Sequence, residues 1–115
     1  MHAVTDRQFV LPLEASTTLS DTLIIEGSRE IIRAMQLRLG GAIVHDRSLY
    51  SLILSSSLEH VVKHNDFWQI GRHDLRLRID ERNRLVIATA RHEWITLILR
   101  WGGEELKSAT PSPAL

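Results

Sequence analysis

Residues 74–101 constrain the possible folds more than any other part of this chain. Their first part, Leu75–Ile79, alternates leucine or isoleucine with arginine. A period of two is typical of a β-strand with one buried and one solvated face. The polar residues 81–84 follow, and they include an asparagine that tolerates positive φ, so they predict a hairpin loop. Residues 85–91 are rich in β-branched side chains and predict a second strand.

A third apolar run, residues 94–101, ends at two consecutive glycines. Its β-branched residues and its two tryptophans favour a third strand, with a short helix as the alternative. This strand would be a bare sheet edge, and an apolar edge invites pairing with another chain. Tryptophan is also enriched in protein interfaces. The run therefore supplies three interface candidates, Trp94, Ile98 and Trp101.

The first forty residues predict two strands and one helix. Residues 8–14 predict a short strand that Pro12 either places at a sheet edge or shortens. Residues 21–26 are a second strand or the first turns of a helix, and Gly27 favours the strand because glycine destabilises a helix interior. Ser28 is a good N-cap for an amphipathic helix that Gly40 and Gly41 end.

Residues 42–64 predict a short apolar link and then a second helix. The link, residues 42–45, is long enough for a strand fragment. Asp46 is a suitable N-cap, and leucines, isoleucine and valines follow it at spacings that fit an amphipathic helix to about His64. Residues 65–71 then lead into residues 74–101.

These elements predict an α+β fold in the order β-β-α-α-β-β-β-β. Two amphipathic helices would pack on one face of an antiparallel sheet that ends in a three-stranded meander. Residues 1–103 are expected to form a single domain. Residues 102–115 are rich in Gly, Ser, Pro and charge, which predicts a flexible tail over residues 104–115.

Composition excludes several classes of function. The chain has 115 residues, no cysteine and a formal net charge of zero. It therefore cannot form disulfides or cysteine-based metal sites. No apolar run reaches the ~20 residues that span a bilayer, and the first residues lack a secretory pattern, so we expect a cytoplasmic protein without membrane contact. Nucleotide-binding and hydrolase motifs are absent, and no cofactor is predicted.

Two pairs of residues are weak candidates for chemistry. His60 and His64 lie four apart on the predicted second helix, a spacing that suits a metal, but the glutamate of an HExxH motif is missing. His92 and Glu93 lie between two predicted strands, where they could act as acid and base. Adjacent strand residues face opposite sides, however, and turns attract polar residues in any case.

Arginines give residues 72–100 a net positive charge. Residues 72–100 contain seven arginines and four acidic residues. If the strand register aligns Arg76, Arg78, Arg84 and Arg91, their guanidinium groups could hold phosphates bidentately. The order of two helices followed by a meander with arginines on one face resembles the arrangement of small bacterial ribonuclease toxins of the mRNA-interferase kind. That resemblance implies RNA binding or cleavage on the sheet, although this chain is neutral and matches no motif of those toxins.

The sequence therefore favours a small binding or interaction module over an enzyme. Self-association through Trp94, Ile98 and Trp101 is the leading hypothesis, and another protein partner is also compatible with that surface. RNA binding or ribonuclease activity on the arginine face, involving Arg76, Arg78, Arg91 and His92, is the alternative hypothesis.

Overall fold

The computed structural model describes residues 6–18 and 21–107. Within them the chain forms nine strands, two α-helices and one 3₁₀ turn. In chain order these elements are β1 (Arg7–Thr17), β2 (Leu23–Gly27), α1 (Arg29–Leu39), β3 (Ala42–Asp46), β4 (Leu49–Leu54), β5 (Val61–Lys63), β6 (Trp68–Ile70), the 3₁₀ turn (Gly71–His73), β7 (Leu75–Ile79), β8 (Arg84–Thr89), α2 (His92–Arg100) and β9 (Glu104–Glu105).

All nine strands belong to one antiparallel sheet that curls into a half-barrel. Eight of them follow one another in the spatial order β3-β4-β2-β1-β8-β7-β6-β5, and β9 pairs with β1 outside that path. The described sheet is therefore open, with β3 at one edge and β5 at the other. Every pairing that is described is antiparallel.

Strand β1 joins the two halves of the sheet. On one side it pairs with β8, from Arg7 to Glu14, and on the other side its first half pairs with β9 and its second half with β2. The register to β8 slips between Val10 and Glu14. Pro12 lies inside this irregularity, where its missing N–H costs no ladder hydrogen bond.

The inner face of the sheet and the two helices enclose the core. The strands contribute every second residue, for example Leu11, Leu13 and Ala15 of β1. Helix α1 covers the β2–β4 part with Ile32, Met35 and Leu39, which are fully buried. Helix α2 contributes the other apolar cover through three residues, Trp94, Ile95 and Ile98.

Several local predictions are confirmed. The Ser28 hydroxyl accepts a hydrogen bond from the Ile31 N–H at the start of α1, and Gly40, at φ 78°, ends that helix. Strands β7 and β8 pair as predicted, and Asn83 between them adopts φ 60°. In these segments the local signal and the tertiary fold agree.

The predicted second helix, residues 46–64, is wrong. This segment forms β4, a series of turns and β5. The inward-facing residues of β4 are Tyr50, Leu52 and Leu54, which follow the period of two of a strand. The sequence does not show this period clearly, because outward-facing residues of the same run are apolar as well. Asp46 precedes a hairpin turn in which Arg47 has φ 59°, and it does not cap a helix.

The predicted third strand of the meander, residues 94–101, is also wrong. The chain instead forms α2, the alternative that the apolar run left open. The buried residues Trp94, Ile95 and Ile98 have helical spacing, and burial of this face outweighs the modest β-propensity of isoleucine and threonine. The fold class is corrected accordingly. The protein is mostly sheet, with helices that are far from consecutive in the chain.

The predicted tail begins at residue 104. In the structure Glu104 and Glu105 form β9 against Val10 and Phe9. The Arg7 guanidinium also donates two hydrogen bonds to the Glu105 carboxylate, at 2.9 and 2.6 Å. Residues 108–115 of the predicted tail lie outside the described residues.

The β7–β8 turn is organised by one carboxylate. Asp80 Oδ1 accepts hydrogen bonds from the backbone N–H groups of Arg82 and Arg84, at 2.8 and 2.9 Å. Burial raises the pKa of Asp80, but these hydrogen bonds and the charge of Arg84 outweigh it and hold the pKa below its ordinary value. The turn therefore prefers the ionised form of Asp80.

We predict that Ile98→Ala lowers the free energy of unfolding by about 2–5 kcal/mol, because it opens a cavity between α2 and the sheet. Leu99→Ala on the same helix should change it by less than about 1 kcal/mol, since Leu99 is 49% exposed and Ile98 is fully buried. Urea unfolding followed by circular dichroism measures both. Equal losses would contradict the orientation of α2.

We also predict that Asp80→Asn lowers the free energy of unfolding at pH 7 by about 1–2 kcal/mol, because the amide accepts the two N–H bonds without charge. A lowered folded-state pKa stabilises the fold above the unfolded pKa, and this contribution is lost as pH falls through the folded pKa. The difference from wild type should therefore shrink below about pH 4.

Urea unfolding at pH 7 and at pH 3 tests this pH dependence. Glu81→Gln is the matched control, because Glu81 is an exposed acid in the same turn, and it should change stability little at either pH. A destabilisation by Asp80→Asn that is equal at both pH values would show that the carboxylate charge is not what holds the turn.

Candidate functional site

The β3 edge is the first surface that can bind a partner. Strand β3 pairs with β4 on one side only. It is five residues long, and Asp46 is its only acidic or basic residue apart from His45. Val44 is 48% exposed on the outer face of the sheet. An edge of this length, without lysine, proline or a bulge, lacks the usual devices that prevent strand addition.

The opposite edge is built differently. Strand β5 has only three residues and ends in Lys63. The Lys63 ammonium donates hydrogen bonds to the carbonyl oxygens of His64 and Asn65 and lies 4.8 Å from the centre of the Trp68 ring. Short length and an edge lysine both disfavour pairing with another strand. The two edges therefore differ in their capacity for strand addition.

Side-chain and backbone contacts hold the β3–β4 hairpin in a fixed position, which favours pairing of another strand with β3. His45 stacks on Tyr50 with ring centres 4.1 Å apart. At the start of β3, Gly41 has φ 89°, and a Cβ there would lie 2.4 Å from the carbonyl oxygen of Ile53. The Gln36 side chain of α1 donates a hydrogen bond to the Gly41 carbonyl oxygen at 3.3 Å. The helix and the hairpin therefore fix the direction of the edge.

An arginine-lined hollow on the outer face is the second surface. Arg76 and Arg78 both point outward from β7, opposite Ala88 and Val86 of β8. The guanidinium groups cross β8 to reach β1. Arg78 Nη2 donates a hydrogen bond to Gln8 Oε1 at 3.1 Å, and Arg76 forms an ion pair with Asp6. The small side chain of Ala88 leaves space beneath these crossings.

Arg76 is held by two carboxylates. Besides its ion pair with Asp6, it donates to Asp74 Oδ1 at 3.2 Å. Burial lowers the pKa of Arg76, but the hydrogen bonds and charges of Asp6 and Asp74 raise it above its ordinary value overall. Arg76 therefore stays ionised, with its charge already neutralised inside the fold.

The structure brings together only part of the predicted polyanion surface. Arg84 shares the outer face but is ion-paired with Asp80 at 3.3 Å. Arg91 precedes α2 and lies 3.6 Å from the Glu93 carboxylate. Aspartates and glutamates therefore alternate with the four arginines, Arg76, Arg78, Arg84 and Arg91. This alternation weighs against a continuous phosphate-binding surface, since counterion release requires unpaired cations.

The candidate acid–base pair lies at the start of α2. His92 and Glu93 are both exposed in the first helical turn. The Glu93 carboxylate faces Arg91, and the Thr96 hydroxyl donates to the His92 carbonyl oxygen at 3.1 Å. An acid and a base need a bound substrate between them. These contacts are those of a solvated helix start.

The two histidines proposed for a metal lie on turns beside β5 and not on a helix. The His60 Nε2 atom is 2.8 Å from the Leu39 carbonyl oxygen, which ties the turn to the end of α1. The His64 Nε2 atom is 2.8 Å from Gln69 Oε1, and its ring stacks on Phe67. Among residues 6–18 and 21–107, no cluster of three or more His, Asp or Glu side chains could hold a metal ion.

The three interface candidates lie on or beside α2. Trp94 and Ile98 are buried in the core of their own chain. Trp101 is half-buried and lies edge-on to Trp94, with ring centres 6.1 Å apart. The apolar surface of these residues is thus mostly buried within the protein, and none of them lies on β3 or β5, the edge strands of the described sheet.

Sequence reasoning missed β3 as the edge, and it missed Gln8 and Phe67 as neighbours of Arg78. The local signal for β3 existed, since residues 42–45 were long enough for a strand fragment. The signal for the hollow was Ala88, a small residue on the outward face of β8. Only the register of β1, β8 and β7 shows that Ala88 lies beneath the two arginine side chains.

Comparison with protein-family models, curated proteins and solved structures found no match. Among the described residues, neither helix has the length and apolar character needed to cross a membrane. The β3 edge and the arginine-lined hollow are the two surfaces of the described chain that bear on its function.

Proposed function

We propose that this protein is a binding module that self-associates through the β3 edge. A single observation supports the proposal most directly, namely that β3 is an unprotected edge strand whereas β5 is short and carries a lysine. Strand addition at β3 would join two half-barrels into one continuous sheet. The proposal keeps self-association as the function but places the interface at β3 and not at residues 94–101.

The sequence of β3 suits pairing with a second copy of itself. In an antiparallel two-fold arrangement centred on Val44, each Val44 faces its copy across the axis. Ala42 then lies opposite Asp46, and Ile43 lies opposite His45. No two like charges are directly opposed, which would otherwise destabilise the pair. The two valines would bury apolar surface on the outer face.

The size of the edge sets the expected affinity. Five residues span roughly 17 Å of strand, so the strands alone bury less than the ~1,200 Å² typical of tight complexes. Leu49, which is 55% exposed and pairs with Asp46 of β3, offers further apolar surface near the edge. We therefore expect weak association, with a dissociation constant of about 10–100 µM.

Sedimentation velocity over a range of about 5–500 µM tests the proposal, since that range brackets the expected dissociation constant. The wild-type mass should rise from one chain to two. Val44→Lys should remain monomeric, because it opposes two ammonium groups at the axis and places a lysine on the edge. Circular dichroism should show the variant to be folded.

The chain supplies a closely matched control in Val62→Lys. Val62 is 49% exposed on β5, the other edge strand, so this variant adds the same charge to an equally exposed valine. It should dimerise like wild type. A wild-type protein that stays monomeric at the highest concentration would refute self-association. Equal losses in both lysine variants would show that β3 is not the interface.

A further inference from the structure

The arginine-lined hollow has the composition of a small-ligand site, and it lies on strands remote from β3. It encloses about 220 Å³ on the outer face of β1, β8 and β7. Val86 and Ala88 form its floor, and Val86 is only 1% exposed although it points away from the core. Phe67, the residue before β6, forms one wall. An apolar floor with a few polar groups is typical of ligand sites.

Arg78 has guanidinium N–H donors that can bind a ligand in this hollow. A guanidinium has five N–H donors. Its side-chain hydrogen bond within the described chain goes to Gln8, a neutral amide, and it forms no ion pair with the described residues. Arg76 differs, because Asp6 and Asp74 satisfy its charge. A half-buried cation with a neutral partner is suited to an anionic ligand.

We propose that the hollow binds a small monoanionic carboxylate with a flat apolar body. The carboxylate would accept two parallel N–H bonds from Arg78, in the fork geometry that guanidinium and carboxylate share. The apolar body would lie on Ala88 and against Phe67, which are only partly buried. Arg76, held by its two aspartates, positions Asp6 at the rim and is not displaced.

The charge around the hollow selects a carboxylate over a phosphate. Asp6 and Asp66 line the hollow together with the two arginines. Asp66 is exposed and forms no ion pair with the described residues. A dianionic phosphate would meet both aspartates, whereas a carboxylate brings a single charge to Arg78. The volume lies below the ~300 Å³ at which drug-sized sites begin, so the ligand is small.

Titration of ¹⁵N-labelled protein with phenylacetate, followed by NMR, tests the proposal. We expect saturable shifts confined to the amides of residues 67, 86 and 88 and to the Arg78 side chain. Phenylacetamide, which has the same shape without the charge, should bind at least about tenfold more weakly, since a charge-assisted pair contributes more than a neutral one. Phenyl phosphate should also bind more weakly than phenylacetate.

Two variants test separately the charge of Arg78 and the volume of the hollow. Arg78→Met should weaken phenylacetate binding at least about tenfold by removing the fork. Ala88→Leu keeps every charge but fills the floor, and it should abolish the shifts. Arg82→Met is the matched control, because it removes one arginine from the exposed β7–β8 turn and should bind phenylacetate as wild type does.

Three results would overturn the proposal. The absence of saturable shifts with millimolar phenylacetate would show that the hollow is not a site for this ligand class. Equal binding of phenylacetamide would show that Arg78 contributes no charge recognition, and tighter binding of phenyl phosphate would reassign the ligand class. Because these three titrations use the wild-type protein, the conclusion holds even if a variant fails to fold. Dimer formation at β3 is read separately from the protein mass.

Discussion

The shared pairing of β1 is the constraint on which the rest of the structure depends. One strand of eleven residues supplies backbone partners to β2, β8 and β9. β8 runs along one side of this strand, while β9 and then β2 pair with its other side, and the register to β8 slips between Val10 and Glu14, where a β-bulge bends a strand. The inward residues on both sides of the bend then face one interior, which the two helices cover. Without β1 the sheet would separate into two sheets of four strands or fewer.

A sheet that curls without closing must end at two edges, and each edge leaves backbone groups unpaired. The chain protects β5 by shortness and by Lys63. It leaves β3 five residues long and largely apolar, although one lysine there would serve the same purpose. An unprotected edge strand exposes a monomer to aggregation. That β3 is unprotected while β5 is protected is therefore the physical argument for a partner strand at β3.

The sequence predicted elements whose local and tertiary preferences agree. Helix α1 had a cap, an apolar stripe and a glycine stop, and β7 alternated clearly. The failures fell on apolar runs. Residues 49–54 and 94–101 are both rich in leucine and isoleucine, and periodicity alone does not separate a buried strand from a buried helix in such runs. Tertiary burial assigned the first to the sheet and the second to α2. Each assignment was the reverse of the predicted one.

The candidate surfaces were harder to predict, because they depend on register between strands distant in the chain. That Arg76 and Arg78 share a face follows from their spacing alone. Their different partners, aspartate for Arg76 and glutamine for Arg78, follow only from the alignment of β1 across β8. Equivalent arginines two residues apart thus acquire different roles. The charge of Arg76 is neutralised by Asp6 and Asp74, whereas Arg78, bound by an amide, keeps its charge available, which is why the ligand site is assigned to Arg78.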